Sequence, residues 1–301
     1  MCGIVGYFRK AESEGPIGEV MLRMITALGC RGPDSTGLAL YGGKRRSGAV
    51  VRVKLSESRA PAPQATAVLH ALAAVSEVKT SALADGVLRV ELGNGTTAVA
   101  IERAVLRSAP GSEVFSVGRR LDLVKRVGTA ADLDASFHIR DVRGTHAIGH
   151  TRLATESRVD ISHSQPFWAH GRPDLATVHN GHITNYVKLR DLYEMRGHVF
   201  YTHNDSEIIP AYLADRMAHG ASLEQALRQS VGELDGTFSY LAATADEFGL
   251  AKDGFSAKPL LMAETDEAVV VATEELAIFA ACGTDVHAAE LPAGEVRVWS
   301  R

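Results

Sequence analysis

The sequence predicts an α+β fold, with layered β-sheets and helices packed outside them. Two observations predict it. Short apolar runs of strand length recur along the 301 residues, and helical segments fall between them, often in pairs. Hydrophobic residues make up 46% and charged residues 23%, so a chain of this length buries a large core without disulfide or metal staples.

Residues 2–8 (CGIVGYF) read as a buried strand that begins at the head of the chain. A helix is expected over 16–29, with Val20, Met21, Met24, Ile25 and Leu28 on one face and Gly29 as its stop. Residues 31–35 (RGPDS) form a turn-rich loop, and a strand over 36–41 ends at Gly42-Gly43. The block from about 50 to 140 has a different character. A strand over 50–55 precedes an Ala-rich helix over 64–75, entered through Pro61 and Pro63. Strands over 87–91 and 96–101 flank Gly93-Asn94-Gly95, a hairpin signal. A short helix over 102–108 and a strand over 113–117 follow. This block is too apolar for a disordered linker, so it is expected to be a small α/β insertion. Beyond residue 145, strands are expected over 146–151, 175–179, 238–243, 268–272 and 295–299. Helices are expected over 205–218 and 222–231, each opened by an acidic or hydroxyl residue.

The net charge of −4 provides no basic field for nucleic acid or an anionic membrane, and Lys44-Arg45-Arg46 reads as a solvated turn. Three cysteines, Cys2, Cys30 and Cys282, form neither a CxxC pair nor a metal-type spacing, and no metal is expected. So few thiols suggest a reducing compartment. The short apolar run at the N-terminus is followed by charge and does not read as a signal peptide. No apolar stretch reaches the roughly 18 residues that a membrane span needs, and a cytoplasmic location is expected.

Cys2 is the first residue that could carry chemistry. Methionine followed by a small residue favours removal of the initiator, which would leave a thiol and a free α-amine on one residue. An α-amine with a reference pKa of ~7.7–8.0 can accept the thiol proton, so one residue would supply nucleophile and base. Taken alone, Cys2 fits a small buried thiol at a strand start better. Its companions change the weighting. Arg31 and Asp34 share a turn shaped by Gly32 and Pro33. Arg152 and Thr155 lie just beyond a strand, where a guanidinium could clamp a carboxylate bidentately. Asn180 can donate its side-chain N–H, and Gly181 lets a backbone N–H approach a reacting oxygen, a pair suited to an oxyanion hole. Asp205 opens a helix and could hold an ammonium group. Singly, each has a plain reading: Asn180-Gly181 a turn, Asp205 a helix cap, Arg152 a salt-bridge arginine.

Together and in this order, the motifs resemble the class II glutamine amidotransferases, a branch of the amino-terminal-nucleophile hydrolases. The similar segments are MCGIVGYF at the start, RGPDSTGLALYG at 31–42, HTRLAT at 150–155, QPF at 165–167, VHNGHITNYVKLR at 178–190 and NDSEIIPAYL at 204–213. Looser likeness runs through LDGTFSYL, KDGFSAKPLLM and VATEELAI, and the block at 50–140 lies outside it. The resemblance implies a four-layer αββα sandwich, two antiparallel sheets between helical layers. It implies Cys2 as the nucleophile on the glutamine side-chain amide, with Asn180 and Gly181 stabilising the oxyanion. Arg152 and Asp205 would hold the α-carboxylate and α-ammonium, Thr155 would assist, and Arg31 would support the N-terminus. Two positions depart from the family: Cys30 stands where His is frequent, and Leu153 replaces the aromatic of the sugar-phosphate transaminase branch.

No P-loop, phosphoribosyl or sugar-isomerase segment, or iron–sulfur cysteine set is visible, so the acceptor chemistry is expected on another chain, or there is none. The runs HTRLATES and KDGFSAKPLLMAETDE most resemble the stand-alone amidotransferase subunit of glutamate-synthase-like complexes such as N-methylglutamate synthase. That resemblance implies no cofactor in this chain, and partner synthase subunits carrying FMN and iron–sulfur clusters. A non-catalytic scaffold subunit and an independent amidohydrolase of another γ-glutamyl compound stay open as alternatives. Glu156 and Gln165 are the residues that would set the choice of substrate.

Overall fold

The computed structural model describes residues 2–42, 48–154 and 158–301. Strand β1 (Gly3–Arg9) is followed by helix α1 (Ile17–Ala27), which turns its apolar face inward, and by β2 (Ser35–Tyr41). Next come β3 (Val50–Lys54), α2 (Pro61–Ala73), β4 (Val78–Ala84), β5 (Val87–Leu92), α3 (Ala98–Ser108) and β6 (Glu113–Gly118). Then follow β7 (Leu121–Val127), α4 (Ala130–Phe137), β8 (His146–Arg152), β9 (Phe167–Trp168) and β10 (Ala176–Ile183). Helices α5 (Tyr186–Met195), α6 (Ile208–Ala218) and α7 (Leu223–Glu233) precede β11 (Gly236–Ala243) and β12 (Glu247–Lys252). The chain closes with β13 (Leu261–Glu264), β14 (Ala268–Ala272), α8 (Glu275–Cys282), β15 (Ala289–Glu290) and β16 (Val296–Ser300).

The described strands form two large sheets, each antiparallel throughout. One has the order β15-β13-β14-β1-β8-β2-β7, the other β16-β12-β11-β10-β9. Side-chain alternation explains the layering. On β1, Ile4 and Phe8 point into the space between the sheets, where they meet Val178, Leu241 and Phe248. Val5, on the opposite face, packs with Met21 and Ile25 of α1 and Ile278 of α8. On the second sheet, Tyr240 and Ala242 face outward onto Tyr212 and Leu213 of α6 and Leu227 of α7. The result is a four-layer αββα sandwich, the architecture implied by the resemblance. Gly6 marks how close the sheets come, because a Cβ there would press on Leu241 and Phe248.

The block expected as an insertion divides. Strands β3 to β6 form their own four-stranded sheet, in the order β4-β5-β3-β6, with α2 and α3 packed on it. Strand β7, by contrast, pairs with β2 at the edge of the larger main sheet. One local expectation fails. Residues 96–101 are not the second arm of a hairpin at Asn94-Gly95, because Thr97 caps α3 by accepting from the Ala100 N–H at 3.2 Å. The hairpin turns instead at Asp85-Gly86, both in the left-handed region (φ 48° and 73°), and joins β4 to β5. No helix among the described residues is long and apolar enough to cross a membrane.

Candidate active site

The site gathers where the start of β1 lies beside β10, a strand of the other sheet. Cys2 precedes β1 and is partly buried, with its Sγ 3.7 Å from the Leu153 carbonyl oxygen. Two side chains converge on the Cys2 carbonyl. Asn180 Nδ2, from β10, donates to it at 3.1 Å, and Arg31 Nε donates to it at 3.1 Å. Arg31 is fixed on its other side by an ion pair with Glu274, the residue before α8. The first residue of the catalytic reading is therefore held by a cation and an amide from distant parts of the chain. An amide NH2 has two donors. The second N–H of Asn180 has no partner among the described residues.

Glycines shape the surrounding backbone. A Cβ on Gly32 would run into the Thr151 carbonyl and the Arg152 nitrogen, so residues 31–33 can lie flat against the end of β8. Pro33 forms an isolated bridge with Arg152, and the Asp34 N–H donates to the Arg152 carbonyl at 3.0 Å. The Asp34 carboxylate then accepts from the Ala154 N–H at 2.7 Å. Asp34 thus ties the RGPDS turn to the HTRLAT loop, a structural role that its place within the motif could have signalled. Gly181 has φ +141°, and a Cβ there would meet the Thr237 carbonyl, so both conformation and space require glycine.

Arg152 is buried, with Nη1 donating to the Arg158 carbonyl at 2.9 Å. Burial pushes its guanidinium below the usual arginine value, and the neighbouring Cys2 thiol opposes that shift. The guanidinium thus lies within electrostatic reach of the thiol. Asp205 follows Asn204, whose side chain caps a short 3-10 turn. One Asp205 oxygen accepts from the Ile183 N–H at 2.7 Å and lies 3.4 Å from His182 Nδ1, so the carboxylate sits against the end of β10, just beyond Gly181. Thr155 and Glu156 lie outside the described residues. Cys30 is exposed and Cys282 partly buried.

Gln165 grips the strand beneath Asn180. Its Oε1 accepts from the His179 N–H at 2.6 Å, and its Nε2 donates to the His179 carbonyl at 2.9 Å. His179 Nδ1 meets Ser206 Oγ at 2.8 Å, which links β10 to the turn carrying Asp205. Behind this lies His150 of β8, buried, its ring beside the His179 backbone. Burial drives the His150 pKa down to about 3, and His179 is lowered by the same cause. Both rings are therefore neutral at physiological pH and add no charge near Cys2. Sequence reasoning missed these two histidines and Glu274, although all three lie inside matched segments.

A glutamine amidotransferase domain model matches residues 150–280. A protein of Methanothermobacter thermautotrophicus assigned by name to the glutamine amidotransferases is 35% identical over 99% of both chains. The glutamine amidotransferase-like protein GlxB of Rhizobium meliloti is 35% identical over 92% of this chain and 91% of its own length. Among solved structures, glutamine phosphoribosylpyrophosphate amidotransferase of B. subtilis superposes with a TM-score of 0.64 at 20% identity, over 99% of this chain. The chain spans about half of that larger enzyme (47% of its length). The fold is thus that of the amino-terminal-nucleophile amidotransferases, and the chain belongs to the glutamine amidotransferase family.

Proposed function

We propose that this chain hydrolyses the side-chain amide of glutamine through a Cys2 thioester once Met1 has been removed, and that it serves a separate synthase subunit. The observation that carries the reading is the convergence of Asn180 and Arg31 on the Cys2 carbonyl, with buried Arg152 within electrostatic reach of the thiol.

The free α-amine of Cys2 takes the thiol proton, and Sγ attacks the amide carbon of glutamine. The carbonyl π electrons move onto oxygen. The second N–H of Asn180 and the backbone N–H of Gly181 receive that oxyanion, preorganised because Gln165 clamps the strand below them. The α-ammonium then returns its proton to the leaving nitrogen, the C–N bond breaks, and ammonia departs. A γ-glutamyl thioester is left on Sγ. Water, deprotonated by the same amine, opens the thioester, releases glutamate and restores the thiol. Arg152 pairs with the substrate α-carboxylate and Asp205 with its α-ammonium, while Thr155 assists them. Arg31, locked to Glu274, keeps the Cys2 carbonyl in place through the cycle.

The ammonia or glutamate passes to synthase subunits of a glutamate-synthase or N-methylglutamate-synthase kind, which carry the FMN and iron–sulfur clusters. The likeness of HTRLATES and KDGFSAKPLLMAETDE to such complexes supports this assignment.

The test of the chemistry is covalent labelling. Diazo-oxo-norleucine should add one equivalent at Cys2, located by intact mass and peptide mapping. Labelling at Cys30 or Cys282 instead, or none in the assembled complex, would overturn the reading. Cys2→Ala should abolish glutamine hydrolysis and leave assembly intact. The test of the partner is co-purification of the native complex, which should bring flavin with this chain.

A further inference from the structure

Helix α3, the segment after β9 and the ends of α5 and α6 line an open cleft of about 600 Å³. None of the residues placed around Cys2 lines it. Its volume lies within the ~300–1,000 Å³ range of small-molecule sites. Its walls hold Arg103, Arg107, Arg172 and Arg196 against Glu102 and Asp215. Four cations less two anions leave an excess of two positive charges, in a chain whose net charge is −4. Both carboxylates are engaged. Glu102 meets His170 Nδ1 at 2.6 Å, and Asp215 meets Arg196 Nη1 at 2.8 Å.

That leaves Arg103 and Arg107, which have no hydrogen-bond or ion-pair partner among the described residues. They stand four residues apart on α3, on one face, where like charges repel. Arg172 lines the wall from the β9 side, its carbonyl held by the Trp168 indole N–H at 2.9 Å. Half-exposed Val99, with Leu106 and Val199, supplies apolar surface beside these guanidinium groups. Planar guanidinium forks suit a phosphate, and the apolar wall suits a flat ring. We propose that the cleft binds a small phosphorylated molecule with a flat apolar body, of which a nucleoside monophosphate is the simplest example. The phosphate sits between Arg103, Arg107 and Arg172, and the ring lies on the Val99–Leu106 wall.

The experiment is a titration of the full chain by calorimetry and by tryptophan fluorescence. Trp168 reports on the site because its ring lies 4.9 Å from that of His170 in the cleft wall. The probes are AMP, adenosine and inorganic phosphate. AMP should saturate one site, with adenosine and inorganic phosphate each at least about tenfold weaker. R103Q/R107Q should weaken AMP by at least about tenfold, and R172Q should weaken it less, with melting temperatures and AMP-free glutaminase rates unchanged. The proposal fails if AMP does not saturate at millimolar concentration, if inorganic phosphate binds as tightly as AMP, or if AMP affinity is unaltered in both variants.

Discussion

The Cys2 end of the sandwich and the four-stranded insertion are built by different rules. Around Cys2, backbone lies on backbone: Gly32 against Thr151 and Arg152, Gly37 against the Gln165 carbonyl, and Gly181 against Thr237. Polar side chains are buried there, and His150 and His179 stay neutral. In the insertion, Gly86 and Gly95 face open space, and β4 is exposed along nearly all its length. Its helices hold by ordinary burial of one face, with Val68 and Leu72 of α2 and Ile101 and Val105 of α3 pointing inward. The geometry around Cys2 thus rests on close backbone approaches that tolerate no added atom, whereas the outer turns of the insertion at Gly86 and Gly95 leave room for one.

Alanine at a glycine in each region breaks this comparison most directly. Gly32→Ala puts a methyl group into the Thr151–Arg152 backbone, which cannot rotate away. The RGPDS turn must lift, carrying Arg31 off the Cys2 carbonyl. We expect glutaminase kcat/KM to fall by about a hundredfold or more, and stability to fall by about 3 kcal/mol. Gly95→Ala meets no atom and strains only a positive φ, so it should cost about 1 kcal/mol and leave kcat/KM unchanged. Equal losses from the two substitutions, read by chemical denaturation and steady-state kinetics, would refute the contrast.

The second test falls on the seam between the regions. Lys125 of β7 is buried, with its ammonium 4.8 Å from the ring centres of Phe115 in the insertion and Phe167 beside the site. Burial pulls its pKa from 10.5 down to about 8. A base whose folded pKa is lowered binds fewer protons folded than unfolded between those values, so folding stability rises as pH climbs from 8 to 10.5. Below pH 8 the ammonium costs on the order of 3 kcal/mol, a burial penalty already reduced by the Glu113 and Glu207 carboxylates. Lys125→Met should therefore stabilise the protein by about 2 kcal/mol at pH 7, with the gain shrinking towards pH 10.5. A gain independent of pH would show that the ammonium is not the source.

Lys125 also shows what the sequence hides. Leu121, Leu123 and Lys125 share the buried side of β7, but a lysine at an inward position spoils the alternation by which a strand is read. Strand β4 is illegible for a different reason: being exposed, it has no buried face to impose an apolar period. Asn94-Gly95 outranks Asp85-Gly86 as a hairpin signal by residue type alone, and only the capping role of Thr97 reverses the order. The site is far more legible. Cys2, Arg31, Arg152, Asn180, Gly181 and Asp205 stand in short segments dense with unusual residues at strand ends, and Arg31 and Asn180 do meet at Cys2. What no spacing could reveal is the support behind them: Glu274 on Arg31, Gln165 on His179, and His150 in the interior.

His150 gives an effect confined to acid pH. Its folded pKa is lowered from 6.5 to about 3, so the unfolded chain takes up a proton on acidification that the folded chain refuses. The neutral ring's contribution is complete above pH 6.5 and drains away as pH falls from 6.5 towards 3. Its share of the slope is about 1.4 kcal/mol per pH unit between roughly pH 5.5 and 4. His150→Gln should remove that share, seen as a shallower dependence of unfolding free energy on pH. An unchanged slope would mean that His150 is protonated in the folded protein.

The smallest expected effect sharpens the comparison from the insertion side. Thr97 Oγ1 accepts the Ala100 N–H and satisfies one of the orphan donors at the start of α3. Thr97→Ala should cost about 1 kcal/mol in global unfolding. Because α3 makes its main contacts with α2 and β6 rather than with the strands beside Cys2 or Asn180, kcat/KM for glutamine should not change. Hydrogen exchange should show the loss confined to the first turn of α3. A matching loss of protection at Gly3–Arg9 would mean that the two regions open as one cooperative unit, and that the tight packing around Cys2 draws on the insertion after all.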